Sequence, residues 1–369
     1  MHEAGVYIHI PFCAAKCIYC DFLSFPGSRH LYEHYINSLT SEIRAAHIEK
    51  VTTVFIGGGT PSVLPAGLMQ DLLNCVFDLR LAGDAEVSIE INPDTVTKDY
   101  LKLLKSAGVN RLSIGLQSDC NQMLALLGRV HSYEQFLENF YSAMDIGFDN
   151  INVDLMFNLP SQTTAVFYET LSVILALQPR HISFYSLTPC EDTPLWHDLS
   201  AGRLSLPDDY TDRSMYHSAS KLLTSNGYLH YEISNAAKPG FECRHNIDCW
   251  KHKPYFGFGL GAHSFDGKRR WSNPSTFSDY FSRAKLEIQL LTNEEILSEA
   301  MILGLRLLDG INEPHFESKY KVKPSVYFSR QISHLVCVGL VECSGNYIRL
   351  TSLGLDLANR VFMQFLRGD

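Results

Sequence analysis

Three cysteines lie within eight residues near the beginning of the sequence, in the segment HIPFCAAKCIYCDF, residues 9–22. Cys13, Cys17 and Cys20 form the pattern C-x3-C-x2-C, and thiolates at this spacing bind zinc or an iron–sulfur cluster. Full structural sites of both kinds normally use four protein ligands, so three cysteines leave one metal position open. The alternatives to a cluster are a zinc site completed by a distant histidine and a grouping without a metal.

Composition and charge limit the function classes open to this chain. The first residues, MHEAGVYIHI, lack the basic region and apolar run of a secretory signal, and no apolar stretch reaches the ~20 residues of a membrane span. We therefore expect a cytoplasmic protein without a transmembrane segment, in which closely spaced cysteines indicate metal binding or catalysis. The formal net charge of −9, with no evident basic cluster, argues against a nucleic-acid partner.

The elements that position these cysteines are predicted by a repeated pattern in the first half of the chain. Short β-branched and aromatic runs alternate with longer stretches that carry apolar residues at helical spacing. Six such runs lie between residues 5 and 188, namely GVYIHI, TTVFIGG, EVSIEINP, RLSIGLQS, NINVDLMF and HISFYSLT. The alternation predicts an α/β fold, a partial (β/α)6 barrel of the TIM type built on a parallel sheet.

Polar residues and glycines collect where the predicted strands end. The turn at residues 57–60 follows the second run, Glu90 lies in the third, Gln117 ends the fourth and Asp154 lies in the fifth. Ligands of parallel α/β folds bind at the carboxyl edge of the sheet. Because the cysteine segment follows the first run, we expect it at the same edge as these polar residues.

The pattern changes twice along the chain, which predicts three regions. Residues 1–190 carry the βα alternation, and residues 191–291, which contain Pro-rich and Gly-rich segments, are predicted to extend the barrel. From residue 292 onward the sequence indicates helices, a hairpin in LVECSGNYIRLT and a last helix from Ser352. Helices followed by a hairpin predict a small C-terminal winged-helix-like α+β domain at residues 292–369.

The cysteine segment resembles the signature of the radical S-adenosylmethionine (SAM) family, with the aromatic Tyr19 directly before the third cysteine. In that family three cysteines bind a [4Fe–4S] cluster, and the amino and carboxylate groups of SAM chelate the fourth iron. The resemblance therefore implies a cluster on Cys13, Cys17 and Cys20. It also implies a reductant such as flavodoxin or ferredoxin, whose electron leads to cleavage of SAM into a deoxyadenosyl radical.

The same resemblance implies which residues bind SAM. The glycine-rich turn would contact the SAM amino group, and Glu90 would bind the ribose. The complete implied set is Tyr7, Tyr19, Gly58, Gly59, Thr60, Glu90, Gln117, Arg129 and Asp154. Taken singly, each of these residues has a structural alternative, as a polar group or glycine that the fold requires. Their order along the chain matches the order in the family.

From Tyr7 to about Leu366 the chain resembles the oxygen-independent coproporphyrinogen III oxidases and their relatives, through GGGTPS, EINPD, GLQS, DLMFNLP and YEISN. Phe22 stands where the oxidases carry a further cysteine, and only twelve residues precede Cys13, whereas the oxidases have a longer N-terminal extension. Both features favour the haem (heme) chaperone branch. The alternatives are SAM-dependent oxidative decarboxylation of coproporphyrinogen III in porphyrin biosynthesis and, against the acidic charge, a radical enzyme acting on RNA.

The segment YEISNAAKPGFECRHNIDCW, residues 231–250, resembles the chaperone branch in its HN-x2-YW motif, whose histidine is implicated in haem binding. His245, Asn246 and Trp250 match the motif, and Cys249 replaces its tyrosine. Imidazole and thiolate both ligate haem iron, so His245 and Cys249 are candidates. The structural alternative is that His245 braces a loop while Cys249 and Trp250 pack in the core. The resemblance implies haem as bound cargo and acceptor haemoproteins, such as those of respiration, as partners.

Overall fold

A computed structural model describes residues 3–366 of the chain. The strands are short and lie mostly in one large sheet. In chain order they are β1 (Ala4–Ile10), β2 (Phe12–Cys13), β3 (Phe25–Pro26), β4 (Val51–Gly58), β5 (Leu81–Ile91), β6 (Arg111–Gln117), β7 (Asn150–Phe157), β8 (His181–Ser186), β9 (Leu229–Glu232), β10 (Asn235–Ala237), β11 (Tyr255–Phe258), β12 (His263–Phe265), β13 (Arg269–Ser272), β14 (Ile288–Leu290), β15 (Ile311–Asn312), β16 (Val341–Ser344) and β17 (Tyr347–Leu350).

Helices connect these strands and cover the sheet. They are α1 (Tyr32–Ala45), α2 (Ala66–Phe77), α3 (Lys98–Ala107), α4 (Asn121–Leu126), α5 (Tyr133–Ile146), α6 (Thr164–Ala176), α7 (Pro194–Ser200), α8 (Asp209–Ser225), α9 (Arg244–Trp250), α10 (Phe277–Phe281), α11 (Asn293–Gly304), α12 (Glu313–Tyr320), α13 (Pro324–Tyr327), α14 (Ser329–Cys337), α15 (Ser352–Asp356) and α16 (Ala358–Met363). Short 3-10 helices span Arg29–Leu31 and Pro61–Val63. Within residues 3–366, no helix is both long and apolar enough to cross a bilayer.

The large sheet has twelve strands in the order β14-β13-β12-β11-β1-β4-β5-β6-β7-β8-β10-β9. Its centre, β1 and β4 to β8, is parallel, and these six strands are neighbours in the same order as in the chain. They coincide with the six apolar runs of the sequence. The predicted partial (β/α)6 barrel is therefore confirmed, and the sheet stays open because extra strands extend both of its edges.

Burial on both faces explains why the central strands have nearly continuous apolar sequences. Every residue of β6 is buried, and only Tyr7 in β1 is partly exposed. The outer helices instead alternate buried and exposed positions, as in α3, where Tyr100, Leu101 and Leu104 face the sheet. Thr97 caps the first turn of α3, and Gly108 ends the helix at a φ of 108°, which glycine adopts without strain.

The chain after β8 supplies both edges of the sheet. Strands β10 and β9 add antiparallel to β8, whereas β11 returns to the opposite edge and pairs parallel with β1. Helix α9 lies between these two edge segments in the chain. Its first turn contacts the amino ends of the central strands, because the carboxylate of Glu86 in β5 accepts hydrogen bonds from the backbone N–H groups of Arg244 (3.0 Å) and His245 (3.1 Å).

The last part of the described chain has its own apolar cluster and a three-stranded sheet in the order β15-β17-β16. Met301 of α11, Leu335 of α14 and Ile348 of β17 lie at the centre of this cluster. The expected hairpin is present as β16 and β17. The single helix predicted from Ser352 is instead two helices, because Leu357 has a φ of −116° and a ψ of 28° and separates α15 from α16.

Candidate functional site

The cysteine loop lies at the carboxyl end of β1 and is fixed by backbone hydrogen bonds. Cys13 belongs to β2, which pairs with β3 and so closes the loop. The N–H of Cys20 donates to the carbonyl of Cys17 (3.2 Å), forming a tight turn. The N–H of Ile18 donates to Leu127 O (3.1 Å), and Ile18 O accepts from Leu195 N (2.9 Å). The loop is therefore anchored to the ends of α4 and α7.

One cavity at this edge of the sheet brings the predicted residues together. Every residue predicted to bind the cluster or SAM lines it, except Tyr7. The predicted residues on its wall are Cys13, Cys17, Tyr19, Cys20, Gly58, Gly59, Thr60, Glu90, Gln117, Arg129 and Asp154. They come from the ends of successive strands, as expected for a ligand site at the carboxyl edge of a parallel sheet.

Two side chains donate hydrogen bonds to the cysteine sulfurs. Thr60 Oγ1 is 3.7 Å from Cys13 Sγ, and Arg129 Nη1 is 3.6 Å from Cys17 Sγ. Burial raises the pKa of Cys13, and the hydroxyl of Thr60 acts in the opposite direction. Burial also raises the pKa of Cys20. Donors and a guanidinium beside the sulfurs stabilise the thiolate form that a metal cluster requires.

Arg129 also connects the cysteine loop to the sheet. Its Nη2 donates to Asn92 Oδ1 (2.8 Å) and to the carbonyl oxygen of Gly115 (2.5 Å). The side chain of Asn92 in turn donates to Thr60 Oγ1 (3.0 Å). A single network of polar groups thus runs from Cys17 through Arg129 to the glycine-rich turn.

The glycine-rich turn passes close to the cysteine loop. The N–H of Gly59 donates to Ile10 O (2.9 Å), and the N–H of Thr60 donates to Phe12 O (2.7 Å). Gly58 has a φ of 118°, and a Cβ atom there would stand 2.6 Å from the ring of His9. Only glycine fits this position, because other residues strain the backbone and meet the imidazole.

Two partly buried carboxyl groups face the same cavity. Glu90 accepts a hydrogen bond from the N–H of Gly58 (3.1 Å), and Asp154 accepts from Asn152 Nδ2 (2.7 Å). Burial, and then the nearby charge of Asp154, raise the pKa of Glu90 to about 8. Burial raises the pKa of Asp154 as well, and its hydrogen bonds with Ser183 and Asn152 oppose the shift. The raised pKa favours the protonated form of Glu90, in which the carboxyl group can both donate to and accept from a ligand hydroxyl.

Tyr7 lies behind the cavity rather than on its wall. Its hydroxyl is 3.0 Å from His9 Nδ1, and His9 Nε2 is 2.9 Å from the carbonyl oxygen of Leu23. Since a carbonyl only accepts, Nε2 carries the proton and Nδ1 accepts from the Tyr7 hydroxyl. Tyr7 and His9 thereby hold the far end of the cysteine loop, and Tyr7 does not contact the cavity.

His245 is not brought to this cavity. Its imidazole is buried at the amino end of β4, where Nδ1 is 2.9 Å from Thr53 Oγ1 and the ring packs on Phe55. Burial lowers the pKa of His245 to about 4, so the ring is neutral. In this structure His245 braces α9 against the sheet, the arrangement that the sequence left open as the alternative to haem contact.

The structural alternative to haem binding also concerned Cys249 and Trp250, which were expected to pack in the core. Burial raises the pKa of the Cys249 thiol to about 12, which favours the protonated thiol in the metal-free protein. The indole ring of Trp250 lies under the guanidinium of Arg306, with 4.3 Å between Arg306 Cζ and the ring centroid. Its Nε1–H is buried and has no hydrogen-bond partner among residues 3–366.

Sequence reasoning missed four polar residues of the cavity, namely Lys16, Asn92, Ser113 and Tyr185. Asn92 is part of the EINPD motif but was not singled out there. Ser113 donates to Asp154 Oδ2 (3.4 Å), and the Tyr185 hydroxyl donates to Gln117 Oε1 (2.9 Å). Tyr185 lies near the end of the sixth run, HISFYSLT, so the rule that polar groups at strand ends form the site would have found it.

Comparisons with family models and with known proteins identify the family of this chain. The model of the radical SAM superfamily matches residues 7–174, and that of the HemN C-terminal domain matches residues 291–357. The chain is 36% identical over 372 residues to the heme chaperone HemW of Lactococcus lactis, covering 99% of this chain and 98% of that protein. It is also 36% identical over 374 residues to HemW of Bacillus subtilis, covering 98% and 99% of the two chains. The chain belongs to the HemW family.

A solved structure shows that the HemW fold is shared more widely. Coproporphyrinogen III oxidase (HemN) from Escherichia coli, described as a radical SAM enzyme, matches with a TM-score of 0.84 and 24% sequence identity. The match covers 99% of this chain and 90% of that one. At this identity the likeness establishes a common fold, including the C-terminal part.

Membership of the HemW family in the radical SAM superfamily implies a [4Fe–4S] cluster and SAM, and the cavity presents three thiols and a polar wall that suit these two groups chemically. Within residues 3–366, no three His, Cys, Asp or Glu side chains are arranged to hold a single metal ion. A cubane attaches each cysteine to a different iron and so needs thiols spread around it, whereas tetrahedral zinc needs them around one point. Three cysteine thiols on the wall of the cavity supply donors of the kind that an iron–sulfur cubane takes.

Proposed function

We propose that this protein is a [4Fe–4S] radical SAM protein that binds haem and transfers it to acceptor haemoproteins. The observation that carries the proposal is the similarity, over nearly the whole chain, to several proteins named heme chaperone HemW. Similarity to the radical SAM superfamily and the cavity at the cysteine loop support the cofactor part.

The cofactor residues would act as follows. Cys13, Cys17 and Cys20 would bind three irons of the cluster, and the polar wall around Arg129 and Glu90 would hold SAM. When bound, the two groups supply one-electron chemistry. Arg129 donates to Cys17 Sγ, and its positive charge stabilises the thiolate. The protonated carboxyl of Glu90 would bind a ribose hydroxyl without placing a second anion beside Asp154.

The haem contact implied for His245 stays a prediction. Its Nδ1 is already engaged with Thr53 Oγ1, and the ring is buried against Phe55. Direct contact between this imidazole and haem would require α9 to move away from the amino end of β4. Haem titration of the His245→Ala variant tests the role, since unchanged affinity and stoichiometry would remove it.

We further propose that the protein works in the cytoplasm, takes electrons from a flavodoxin or ferredoxin, and delivers haem to acceptors such as respiratory haemoproteins. All ten cysteines lie within the described residues and none forms a disulfide. Unpaired cysteines in this number are typical of a reducing compartment, which supports the cytoplasm.

Anaerobic reconstitution with iron and sulfide tests the cofactor part of the proposal. We expect about four irons and four sulfides per chain, the content of one cubane. The Cys17→Ala variant should fail to assemble an oxygen-sensitive cluster, whereas Cys120→Ala, which changes an exposed cysteine outside the cavity, should behave like the wild type. Zinc on the loop without inorganic sulfide would contradict the proposal.

The haem part is tested on the same preparation. Haem addition should give a Soret band, and mixing with an apo-haemoprotein should move that band to the position of the acceptor. A parallel anaerobic assay supplies SAM, a reductant and coproporphyrinogen III. Porphyrin product formed with SAM turnover would replace the chaperone function by the oxidase function.

A further inference from the structure

A second large cavity lies between α9 and the C-terminal helices and sheet, and we name it the α9 cleft. Its volume is about 780 Å³, within the range of small-molecule and cofactor sites. It shares no lining residue with the cavity at the cysteine loop. Apolar and aromatic side chains form much of its wall, including Ile247, Trp250, Phe316, Tyr320 and Tyr347.

Trp250 and Ile247 belong to the RHNIDCW helix, whose sequence resembles the haem motif. Both line the α9 cleft, whereas His245, on the same helix, packs against Thr53 at the sheet. The Trp250 Nε1–H is buried without a partner. A buried donor left unpaired is unfavourable, so a polar group of a ligand in the cleft would gain a hydrogen bond there.

Positive charge collects on the part of the cleft formed by Lys251, Lys253 and Lys319. Lys319 Nζ donates to the carbonyl oxygens of Lys251 (3.0 Å) and His252 (2.8 Å). The pKa of Lys319 is lowered to about 8, first by loss of water around the ammonium group and then by the charge of Lys253. Among these lysines only Lys253 has a carboxylate partner in the described chain, Asp248 at 2.7 Å.

Two carboxylates, Glu242 and Asp309, also line the cleft. Within residues 3–366, no hydrogen bond or ion pair joins either of them to the three lysines. Of the three lysines, Lys251 and Lys319 therefore have no carboxylate partner in the described chain, and they lie beside a largely aromatic and apolar part of the wall. An amphipathic anion suits this combination better than an inorganic ion, which would leave the aromatic wall uncovered.

His315 supplies the cleft with a metal-binding group. It is exposed on α12, and its imidazole has no hydrogen-bond or ion-pair partner in the described chain. The other histidine on the wall, His230, is engaged with Ser220 Oγ (2.9 Å) and the carbonyl of Ile233 (3.3 Å). His315 and Lys319 are four residues apart on α12, so they project from the same face of the helix.

We propose that the α9 cleft is the haem site of this protein, with His315 as an iron ligand and Lys251, Lys253 and Lys319 as partners of the propionates. Haem is a flat apolar ring with two carboxylates at one edge and an iron that takes imidazole. The cleft offers aromatic walls, the ammonium groups of Lys251 and Lys319 without a carboxylate partner, and the imidazole of His315, which match these parts. The inference rests on the proposed haem function and specifies where on the protein haem binds.

This assignment gives the RHNIDCW helix a role in haem binding without direct contact by His245. Residues of α9 would form one wall of the site, and His245 would fix that wall by its hydrogen bond with Thr53. Because the two cavities are separate, haem and SAM could be bound at the same time.

Haem titration of the full-length protein tests the iron ligand. The His315→Ala variant should bind haem about tenfold more weakly or worse, as expected for loss of one interaction of about 1.4 kcal/mol. It should also lose the resonance Raman and EPR signals of imidazole ligation. The matched control is His334→Ala, an exposed histidine on α14 that does not line the cleft, and it should bind like the wild type.

The propionate contacts are tested with a second ligand. The double variant Lys251→Gln, Lys319→Gln should weaken haem binding about tenfold or more, because both contacts to the haem carboxylates lose their positive charge. Haem dimethyl ester, which lacks the carboxylates, should bind the variant and the wild type equally. Lys321→Gln is the control, because Lys321 lies on the same C-terminal part and outside the cleft.

The outcomes distinguish failure of the proposed haem site from failure of the proposed haem function. If the wild type takes up no haem, the proposed function fails. If the wild type binds haem and the His315 and lysine variants bind it with unchanged affinity and spectra, only the α9 cleft is excluded. Circular dichroism of each variant, compared with the wild type, shows whether a loss of binding comes from unfolding.

Discussion

The position of the Cys13 thiol depends on the absence of a side chain at Gly59. A Cβ atom at Gly59 would stand 2.5 Å from the carbonyl oxygen of Phe12 and 2.9 Å from Cys13 Sγ. Both distances are shorter than van der Waals contact, and the first involves backbone, which yields only if the loop moves. The position of Cys13 in the cysteine loop is thus set partly by a residue that has no side chain of its own.

The Gly59→Ala variant should therefore assemble less cluster. We expect the iron and sulfide content after anaerobic reconstitution to fall well below that of the wild type, because the added methyl group displaces Cys13. Gly67→Ala is the matched control, since nothing lies within 4 Å of a Cβ built at Gly67 in α2. Equal cluster content in the two variants would show that the loop adapts to the methyl group.

Glu90 gives the metal-free protein a pH dependence of stability. Its pKa is raised to about 8 by burial and by Asp154, above the value near 4.5 of an unfolded chain. Between pH 4.5 and pH 8 the folded state binds the proton more tightly than the unfolded chain does. The contribution of Glu90 to the free energy of unfolding is therefore fully present below about pH 4.5 and is lost as the pH rises towards 8. A single group contributes at most about 1.4 kcal/mol per pH unit.

We expect Glu90→Gln to remove this dependence of stability on pH. The amide keeps an oxygen that accepts from the N–H of Gly58 but does not titrate. Thermal denaturation of the metal-free wild type and variant, compared from pH 5 to 8, should show the variant gaining relative stability as the pH rises. Parallel profiles would mean that Glu90 is not protonated in the folded protein at neutral pH.

At the scale of elements, the sheet and most of the cofactor site were predictable from sequence, whereas the α9 region was not. Buried parallel strands have continuous apolar runs, so their ends mark the ligand edge, and residues such as Glu90 and Asp154 could be placed there. The placement of His245 depends on contacts with Thr53 and Glu86, which are distant in the chain and leave no periodic signal. Its motif alone could not distinguish a haem ligand from a brace.

Glu86 links α9 to the sheet, and its loss should loosen that helix. Its carboxylate accepts from the N–H groups of Arg244 and His245, which have no partner within the helix. We expect Glu86→Ala to lower the free energy of unfolding by about 1–3 kcal/mol, the cost of leaving buried donors unpaired. Denaturant unfolding followed by circular dichroism measures the change.

Asp84→Ala is the control for this helix contact. Asp84 is 3.3 Å from Arg244 Nη1, but its side chain is 81% exposed, so the ion pair contributes less than about 1 kcal/mol. A loss as large as that of Glu86→Ala would mean that surface charge, rather than capping of the helix by a buried carboxylate, holds α9 in place.

At the scale of the whole molecule, the two cavities lie on different parts of the fold. The cofactor cavity is at the carboxyl edge of the parallel sheet, and the α9 cleft lies between a helix of the barrel extension and the C-terminal part. Contacts across that second boundary include His252, whose imidazole is 3.1 Å from both Tyr320 Oη and Glu299 Oε2. The C-terminal part thus forms one wall of the α9 cleft and lines no part of the cavity at the cysteine loop.

Buried histidines distributed through the molecule should make it sensitive to acid. Burial lowers the pKa of His131, His230 and His245 to about 4, below the value near 6.5 of an unfolded histidine. Between these values the unfolded chain binds more protons, so stability is lost as the pH falls from 6.5 to 4. We expect the thermal midpoint to drop across this range and His131→Gln to reduce the drop.

His334→Gln, which changes an exposed histidine, should leave the drop unchanged. A thermal midpoint that stays constant from pH 6.5 to 4.5 would show that these histidines are already charged in the folded protein.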